Sequence, residues 1–184
     1  MPSRPPRSAS EARRTIPPLD TAALERLALR YVERFSTTRG RLTDYLVRKI
    51  RERGWDGAVA EPAALADRMA DLGYIDDRAF GEARANAMAR RGLGKGRVRV
   101  AFRQAGIDTE DAEALAPGIE DRALQAALTF ARKKRIGPFA SAPPDRALRE
   151  KQIGAMIRAG HDFTLSRRIA TMAPGESIED LSHD

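Results

Sequence analysis

The stretch Asp71-Leu72-Gly73-Tyr74-Ile75-Asp76-Asp77-Arg78-Ala79-Phe80 predicts a rigid elbow between two helices. Gly73 can take the left-handed conformation that closes a helix. Asp76 then fits the N-cap of the next helix, and Asp77 in its first turn faces the positive end of the helix dipole. With that cap, Ile75 and Phe80 fall at the N′ and N4 positions of a hydrophobic staple. We interpret the following residues as a structural elbow: Gly73, Tyr74, Ile75, Asp76, Asp77 and Phe80.

Two short motifs recur along the chain at a period near 50 residues. Sequences related to the elbow begin at Gly118 and, more weakly, at Gly175. A Gly-x-Asp motif begins at Gly54, Gly106 and Gly160, with separations of 52 and 54 residues. Gly-x-Asp is a common way to end one helix and begin the next. Two motif types that each occur three times nevertheless favour an internal repeat.

The order of the motifs resembles that of the RecX family, which are bacterial regulators of the RecA recombinase. The resemblance rests on the Gly-Tyr-Ile-Asp-Asp-x-x-Phe elbow, an Arg-rich helix, a Gly-rich turn and a helix ending in Gly-Ile-Asp. It covers roughly residues 20–181 and is densest over 65–110. Two features depart from the family pattern. Gly81 stands where the family usually has Ala, and in the third repeat residues 137–144 replace a tight turn.

The predicted fold is all-α, with three tandem three-helix repeats forming an elongated, curved right-handed or arc-like array. Ala, Leu and Arg dominate the composition, which favours helices over sheets. A unit of about 50 residues has a marginal core, so neighbouring units must stabilise one another. The predicted organisation is a disordered basic tail over 1–19, repeats over 20–75, 76–117 and 118–174, and a frayed C-terminal tail over 175–184.

Nine helices are expected from apolar periodicity and from start and stop signals. The first three are predicted to start at Asp20-Thr21, to lie around 42–50 and to start at Pro62. The fourth runs from the Asp76 cap to about Arg91, the fifth follows the Gly92–Gly96 turn, and the sixth runs from Asp108 to just before Pro117. The last three span about 119–135, about 144–159 and about 163–173. Three aromatic residues are expected in the core: Trp55, Tyr74 and Phe80.

The net positive charge of the chain is concentrated in one segment. The 184 residues include 33 Lys and Arg against 26 Asp and Glu, which gives a net charge of +7. Residues 83–107 hold seven basic residues and no acidic residue, and subtracting these seven leaves 26 basic and 26 acidic residues elsewhere. Solvated helix faces usually mix the two signs. The segregation therefore indicates a polyanion or an acidic protein surface as partner.

The basic residues of this segment are predicted to bind the partner. Lys95, Arg99 and Arg103 are spaced by four, so they form a row on one helix beside an apolar stripe. The alternative is an ordinary solvated helix face, and the sequence leaves open whether the row meets protein or phosphate. The predicted partner- or nucleic-acid-binding residues are Arg84, Arg90, Arg91, Lys95, Arg97, Arg99 and Arg103.

The residue types needed for enzyme chemistry do not form a recognisable pattern. The chain has no Cys and two His, so a zinc site or a Cys nucleophile lacks its parts. Capping accounts for Asp76 and Asp77. The Gly-rich turn over 92–96 lacks the preceding strand and the Gly-Lys-Ser/Thr ending of a P-loop. We expect no catalytic residue, no metal and no cofactor.

The resemblance implies a regulator that binds the RecA filament. Such a regulator modulates the ATPase, strand-exchange and recombination or SOS activity of RecA, and the implied effect is inhibition. Single- or double-stranded DNA is a second candidate partner. The sign of the effect on the recombinase does not follow from the sequence. With no apolar leader and no membrane-spanning run, we expect a cytoplasmic protein. We also expect a monomer. The alternative function is a stand-alone DNA-binding module of helix-turn-helix type, built from helices four and five.

Overall fold

A computed structural model describes residues 17–182 of the chain, and these residues are helical without a β-strand. The prediction of an all-α protein is confirmed. The α-helices are α1 Thr21–Arg34, α2 Arg39–Arg53, α3 Pro62–Asp71, α4 Asp77–Arg90, α5 Lys95–Ala105, α6 Thr109–Asp121, α7 Ala123–Lys134, α8 Arg146–Arg158 and α9 Phe163–Thr171, with short 3-10 helices at Gly137–Phe139 and Glu179–Ser182. Residues 1–16 of the predicted disordered tail lie outside the described residues.

Aspartate side chains begin most of the helices that carry a side-chain cap. The Asp76 carboxylate accepts a hydrogen bond from the Ala79 amide at 2.8 Å, at the start of α4. The Asp108 carboxylate does the same for the Asp111 amide in α6, also at 2.8 Å. Each such bond satisfies a helix N–H group that has no partner within the helix. Asp20, Asp145 and Asp162 cap α1, α8 and α9 in the same way.

The buried side chains form three hydrophobic clusters that follow one another along the chain. The first cluster takes its buried residues from Leu19 to Ile75, between α1, α2 and α3. The second takes them from Ala85 to Ile107, and the third from Ala127 to Leu181. Ile75 lies in the first cluster and Phe80 packs against the second, so the elbow carries the chain from one cluster into the next. The arrangement as three tandem repeats stays a prediction.

Helix α6 does not end where the sequence predicts. It continues through Pro117 and Gly118 to Asp121, and α7 begins after the single residue Arg122. The predicted helix end before Pro117 and the predicted elbow at Gly118 are therefore wrong. Packing of α6 against α4 holds the helix across the proline, which has no N–H for the α-helical ladder. The Arg122 side chain also donates to the Gly118 carbonyl at 2.7 Å, which satisfies an acceptor near the helix end.

The described residues near both ends of the chain reach further into the core than predicted. Leu19, assigned to the disordered tail, is fully buried and forms a parallel bridge with Trp55. Leu181, assigned to the frayed tail, is buried in the third cluster. Burial of one leucine side chain is worth about 1.5–3 kcal/mol, enough to hold a short terminal segment in place. Tyr74, predicted to lie in the core, is 49% exposed, so that prediction is also wrong.

The start of α2 packs tightly against the loop between α5 and α6. The Thr38 hydroxyl donates to the Ala105 carbonyl, and Thr38 is fully buried. Gly40 approaches Gly106 so closely that a Cβ on Gly40 would lie 2.6 Å from the Gly106 Cα. We call this contact the first junction. It joins the first cluster to the second.

An equivalent contact joins the second cluster to the third. The amides of Gly94 and Gly96, at the start of α5, donate to the carbonyls of Ala159 and Gly160, both at 2.9 Å. A Cβ on Gly94 would lie 2.4 Å from the Gly160 carbonyl oxygen. We call this contact the second junction. In both junctions, a helix start with a glycine packs on a Gly-x-Asp motif about 65 residues later in the chain.

Candidate partner-binding surface

The seven predicted binding residues have different neighbours in the structure. Six of them, all Arg, are exposed, and Lys95 is half-buried. The Lys95 ammonium lies 3.0 Å from both carboxylate oxygens of Glu120 on α6. One charge of the predicted row is thus already neutralised within the protein.

Acidic residues of α6 stand opposite the row on α5. Arg99 and Arg103 line a cleft of about 290 Å³ together with Glu113, Glu120 and apolar side chains of α6. Residues 83–107 contain no acid, but the next helix in the chain supplies acids to the same surface. The cleft therefore carries side chains of both charge signs.

The other predicted binding residues lie in different places. Arg84 lines an open groove between α4 and the turn that joins α1 to α2. The exposed rings of Phe35 and Tyr74 line the same groove. Arg97 lies at the second junction, where its backbone and side-chain stem lie against Gly160.

Arg90 and Arg91 meet a basic segment of α7 that the sequence analysis did not single out. The Lys133 ammonium donates to the Arg91 carbonyl at 3.2 Å and lies 3.5 Å from the Arg90 carbonyl. Lys133 belongs to a run of four exposed basic residues over 132–135. The signal in the sequence was a second acid-free stretch, residues 123–144, which a count of net charge alone does not reveal.

The elbow residue Asp77 takes part in an ionic network with Arg39 at the first junction. The Asp77 carboxylate is 3% exposed, and it accepts hydrogen bonds from the backbone amide and the Nε of Arg39, both at 3.0 Å. The Arg39 Nη2 also contacts the carboxylates of Asp108 at 2.7 Å and Asp111 at 3.0 Å. The hydrogen bond with Asp77 is the main cause that raises the pKa of Arg39. The elbow therefore makes an electrostatic contact at the first junction as well as a turn.

His161, the central residue of the third Gly-x-Asp motif, is buried at the second junction. Its Nε2 lies 3.0 Å from the Gly92 carbonyl, so Nε2 carries the proton and donates it. Burial lowers the pKa of His161, and the hydrogen bond with Gly92 offsets part of that shift. The ring also packs against Phe130, with 5.5 Å between the ring centroids. His161 therefore takes part in the packing of the second junction.

Residues 17–182 contain neither a cluster of metal-ligating side chains nor a membrane-spanning helix. In this part of the chain, no group of three or more His, Cys, Asp or Glu side chains is placed to hold a metal ion. The three carboxylates around Arg39 converge on its guanidinium instead. None of the described helices is long and apolar enough to span a membrane.

Known proteins with similar sequences all carry the same description. No family model matches the chain. The regulatory protein RecX of Thermobifida fusca (strain YX) is 30% identical over 144 residues, which cover 78% of this chain and 74% of that protein. This chain belongs to the RecX family of regulatory proteins.

Further RecX relatives extend the similarity over more of the chain. The RecX protein of Agrobacterium fabrum (strain C58) is 29% identical, over 84% of this chain and 85% of its own length. That of Myxococcus xanthus (strain DK1622) is 28% identical, over 82% and 86%. A crystal structure of a RecX regulatory protein superposes with a TM-score of 0.56 at 23% identity, over 81% of this chain and 74% of that one. The two proteins share a fold.

Proposed function

We propose that this RecX protein binds the filament of the RecA recombinase and lowers its ATP turnover and strand exchange, without catalysing a reaction itself. The observation that carries the proposal is family membership, which rests on similarity over most of the length of the chain and of its relatives. Those relatives are named as regulatory proteins. A role as a binding protein also agrees with the large share of exposed cationic side chains on α4 and α5.

The linear order of the three clusters supports binding to a repetitive partner. Units joined end to end at the two junctions can contact successive subunits of a filament. Each further contact is then intramolecular, so modest individual affinities combine into a high overall affinity. A RecA filament contains both polyanionic DNA and protein surface, and either can bind the exposed basic side chains.

Within this proposal, the α5–α6 cleft contacts the recombinase. Its apolar floor, formed by Phe102, Ile107 and Ile119, can accept an apolar side chain. Arg99 and Arg103 on one rim and Glu113 on the other can pair with charges of both signs. Protein interfaces commonly combine an apolar centre with such a charged rim.

The test measures the ATPase of RecA on single-stranded DNA, with co-sedimentation of this protein on the filament. We expect binding at physiological salt and a dose-dependent loss of ATP turnover. The double variant Arg99→Gln, Arg103→Gln should bind at least tenfold more weakly. The matched control is Arg26→Gln, Arg51→Gln, which removes the same charge from exposed positions of α1 and α2. Absence of wild-type protein from the filament pellet would refute the proposal.

The helix-turn-helix alternative is favoured by the exposed arginines of α4 and α5, but two features oppose it. Acids of α6 line the surface beside α5, where phosphates would have to approach. Gln104 is the one amide side chain of α5, so the helix has few groups that read base edges. Sequence-specific binding to duplex DNA without RecA, lost on substitution of Arg99, would support this alternative.

A further inference from the structure

We propose that the joined ends of α4 and α7 form a second binding surface, which takes the phosphodiester backbone of a nucleic acid. We call this surface the α4–α7 basic cluster. Its members come from two segments about 40 residues apart: Arg90, Arg91, Arg132, Lys133, Lys134 and Arg135. It shares no residue with the α5–α6 cleft and does not require the recombinase.

All six side chains are exposed, and the hydrogen bonds of Lys133 to the carbonyls of α4 hold the two segments together. Neither segment has acidic neighbours in sequence, because residues 83–107 and 123–144 contain no Asp or Glu. Among the ion pairs of the described residues, none includes a member of the cluster.

The helix dipoles offset only a small part of the positive charge of this cluster. A helix C-terminus carries about half a negative elementary charge, so the two helix ends together offset about one of the six positive charges. About five remain without compensation. Unpaired like charges repel one another, and their concentration at one place lowers the stability of the fold slightly. An external anion removes that cost.

Arg135 gives an independent indication that charge is retained here for binding. It ends α7 in the left-handed conformation, with φ of 54° and ψ of 52°. At every other described position with positive φ, the residue is glycine. Glycine is the residue that fits a left-handed helix end without strain. At position 135 the chain keeps a cationic side chain at the expense of backbone strain, and such strain is typical of functional sites.

A nucleic acid backbone is the polyanion that fits these features. It repeats phosphate charges at short intervals, and several closely spaced cations can neutralise neighbouring phosphates together. Four of the six residues are Arg, whose planar guanidinium can bind a phosphate through two parallel hydrogen bonds.

The experiment measures binding of this protein alone to a fluorescent oligothymidylate across a range of salt concentrations. The test variant is Arg90→Gln, Lys134→Gln, Arg135→Gly, which leaves the structural Lys133 and the Arg132–Phe139 contact in place. The control is Arg26→Gln, Arg51→Gln, Arg167→Gln, which removes three exposed charges elsewhere. We expect the test variant to bind at least tenfold more weakly. The slope of log affinity against log salt concentration should become shallower by about 2, since each phosphate contact contributes about 0.7 and three charges are removed. The control should stay within about twofold of the wild type.

Arg135→Gly alone separates binding from folding. Its melting temperature should be equal to or above that of the wild type, because glycine removes the strain, while oligonucleotide affinity should fall. Equal losses in the test variant and the control would overturn the proposal, since net charge would then explain binding. Binding to polyglutamate but not to the oligonucleotide would overturn it in favour of an acidic protein partner. Filament co-sedimentation of the same variants tests the recombinase contact separately.

Discussion

Arg39 is the residue that connects the most distant parts of the ionic network. Its guanidinium pairs with carboxylates at the N-terminal ends of α4 and α6, while Arg39 itself begins α2. Asp77 is the most buried of these acids, and an uncompensated charge at that position would be costly. Asp111 is shared between Arg39 and Arg78, so it keeps a partner if either arginine is removed.

We expect Arg39→Met to lower the free energy of unfolding by about 2–3 kcal/mol. A fully buried ion pair that loses one partner costs about 3–5 kcal/mol, and the partial exposure of Arg39 reduces this value. The matched control is Arg78→Met, because Arg78 is more than half exposed and its loss should cost clearly less stability than the loss of Arg39. Urea denaturation measures both. Equal losses for the two variants would contradict the role assigned to the Arg39–Asp77 pair.

His161 makes the stability of the second junction sensitive to pH. Burial lowers its pKa, so the folded protein binds a proton less readily than the unfolded chain, whose His titrates near pH 6.5. The contribution of the neutral His is present above pH 6.5 and is lost as the pH falls below that value. Between pH 7.5 and 5.5 the wild type should therefore lose stability more steeply than His161→Gln. Parallel pH profiles from thermal unfolding would show that this histidine does not contribute.

At the scale of the elements, the two junctions share the same backbone arrangement but are held by different interactions. The first relies on the Thr38 hydroxyl and the Arg39 network, and the second on hydrogen bonds between backbone groups. In both, glycine permits two backbones to approach closely. Counted from the N-cap, α8 has Ala147 where α2 has Gly40 and α5 has Gly96.

We expect Gly94→Ala to destabilise the protein by about 1–3 kcal/mol, the usual cost of overpacking. The added Cβ would lie 2.4 Å from the Gly160 carbonyl oxygen, so the second junction must open or shift. Gly118→Ala is the control, because it lies inside α6 with its nearest neighbour, a flexible Arg122 nitrogen, at 3.4 Å. There, alanine should stabilise the helix by up to about 1 kcal/mol. Unfolding curves showing the same change in both variants would contradict close packing at Gly94.

At the scale of the whole molecule, the linear order of the three hydrophobic clusters predicts an elongated particle. A compact chain of about 165 residues has a radius of gyration of about 15 Å. Units that contact mainly their sequence neighbours should give a clearly larger value. Small-angle scattering on protein lacking residues 1–16 measures this directly. A result of 15–16 Å would contradict the extended arrangement and favour a single globule.

The sequence alone determined the helical class, the family and most helix starts. Asp76, Asp108 and Asp162 cap helices through hydrogen bonds within three residues, and Gly73 has the positive φ of a helix end. Such interactions depend on neighbouring residues only, so they can be read from a local pattern.

Only the tertiary structure decided which charges meet. Asp77 pairs with a residue 38 positions away, and Lys95 pairs with Glu120 on another helix. The continuation of α6 through Pro117 likewise depends on packing against α4. The physical reason is the same throughout. Electrostatic pairing and burial depend on distances between helices, and the chain establishes these distances only when the helices pack together.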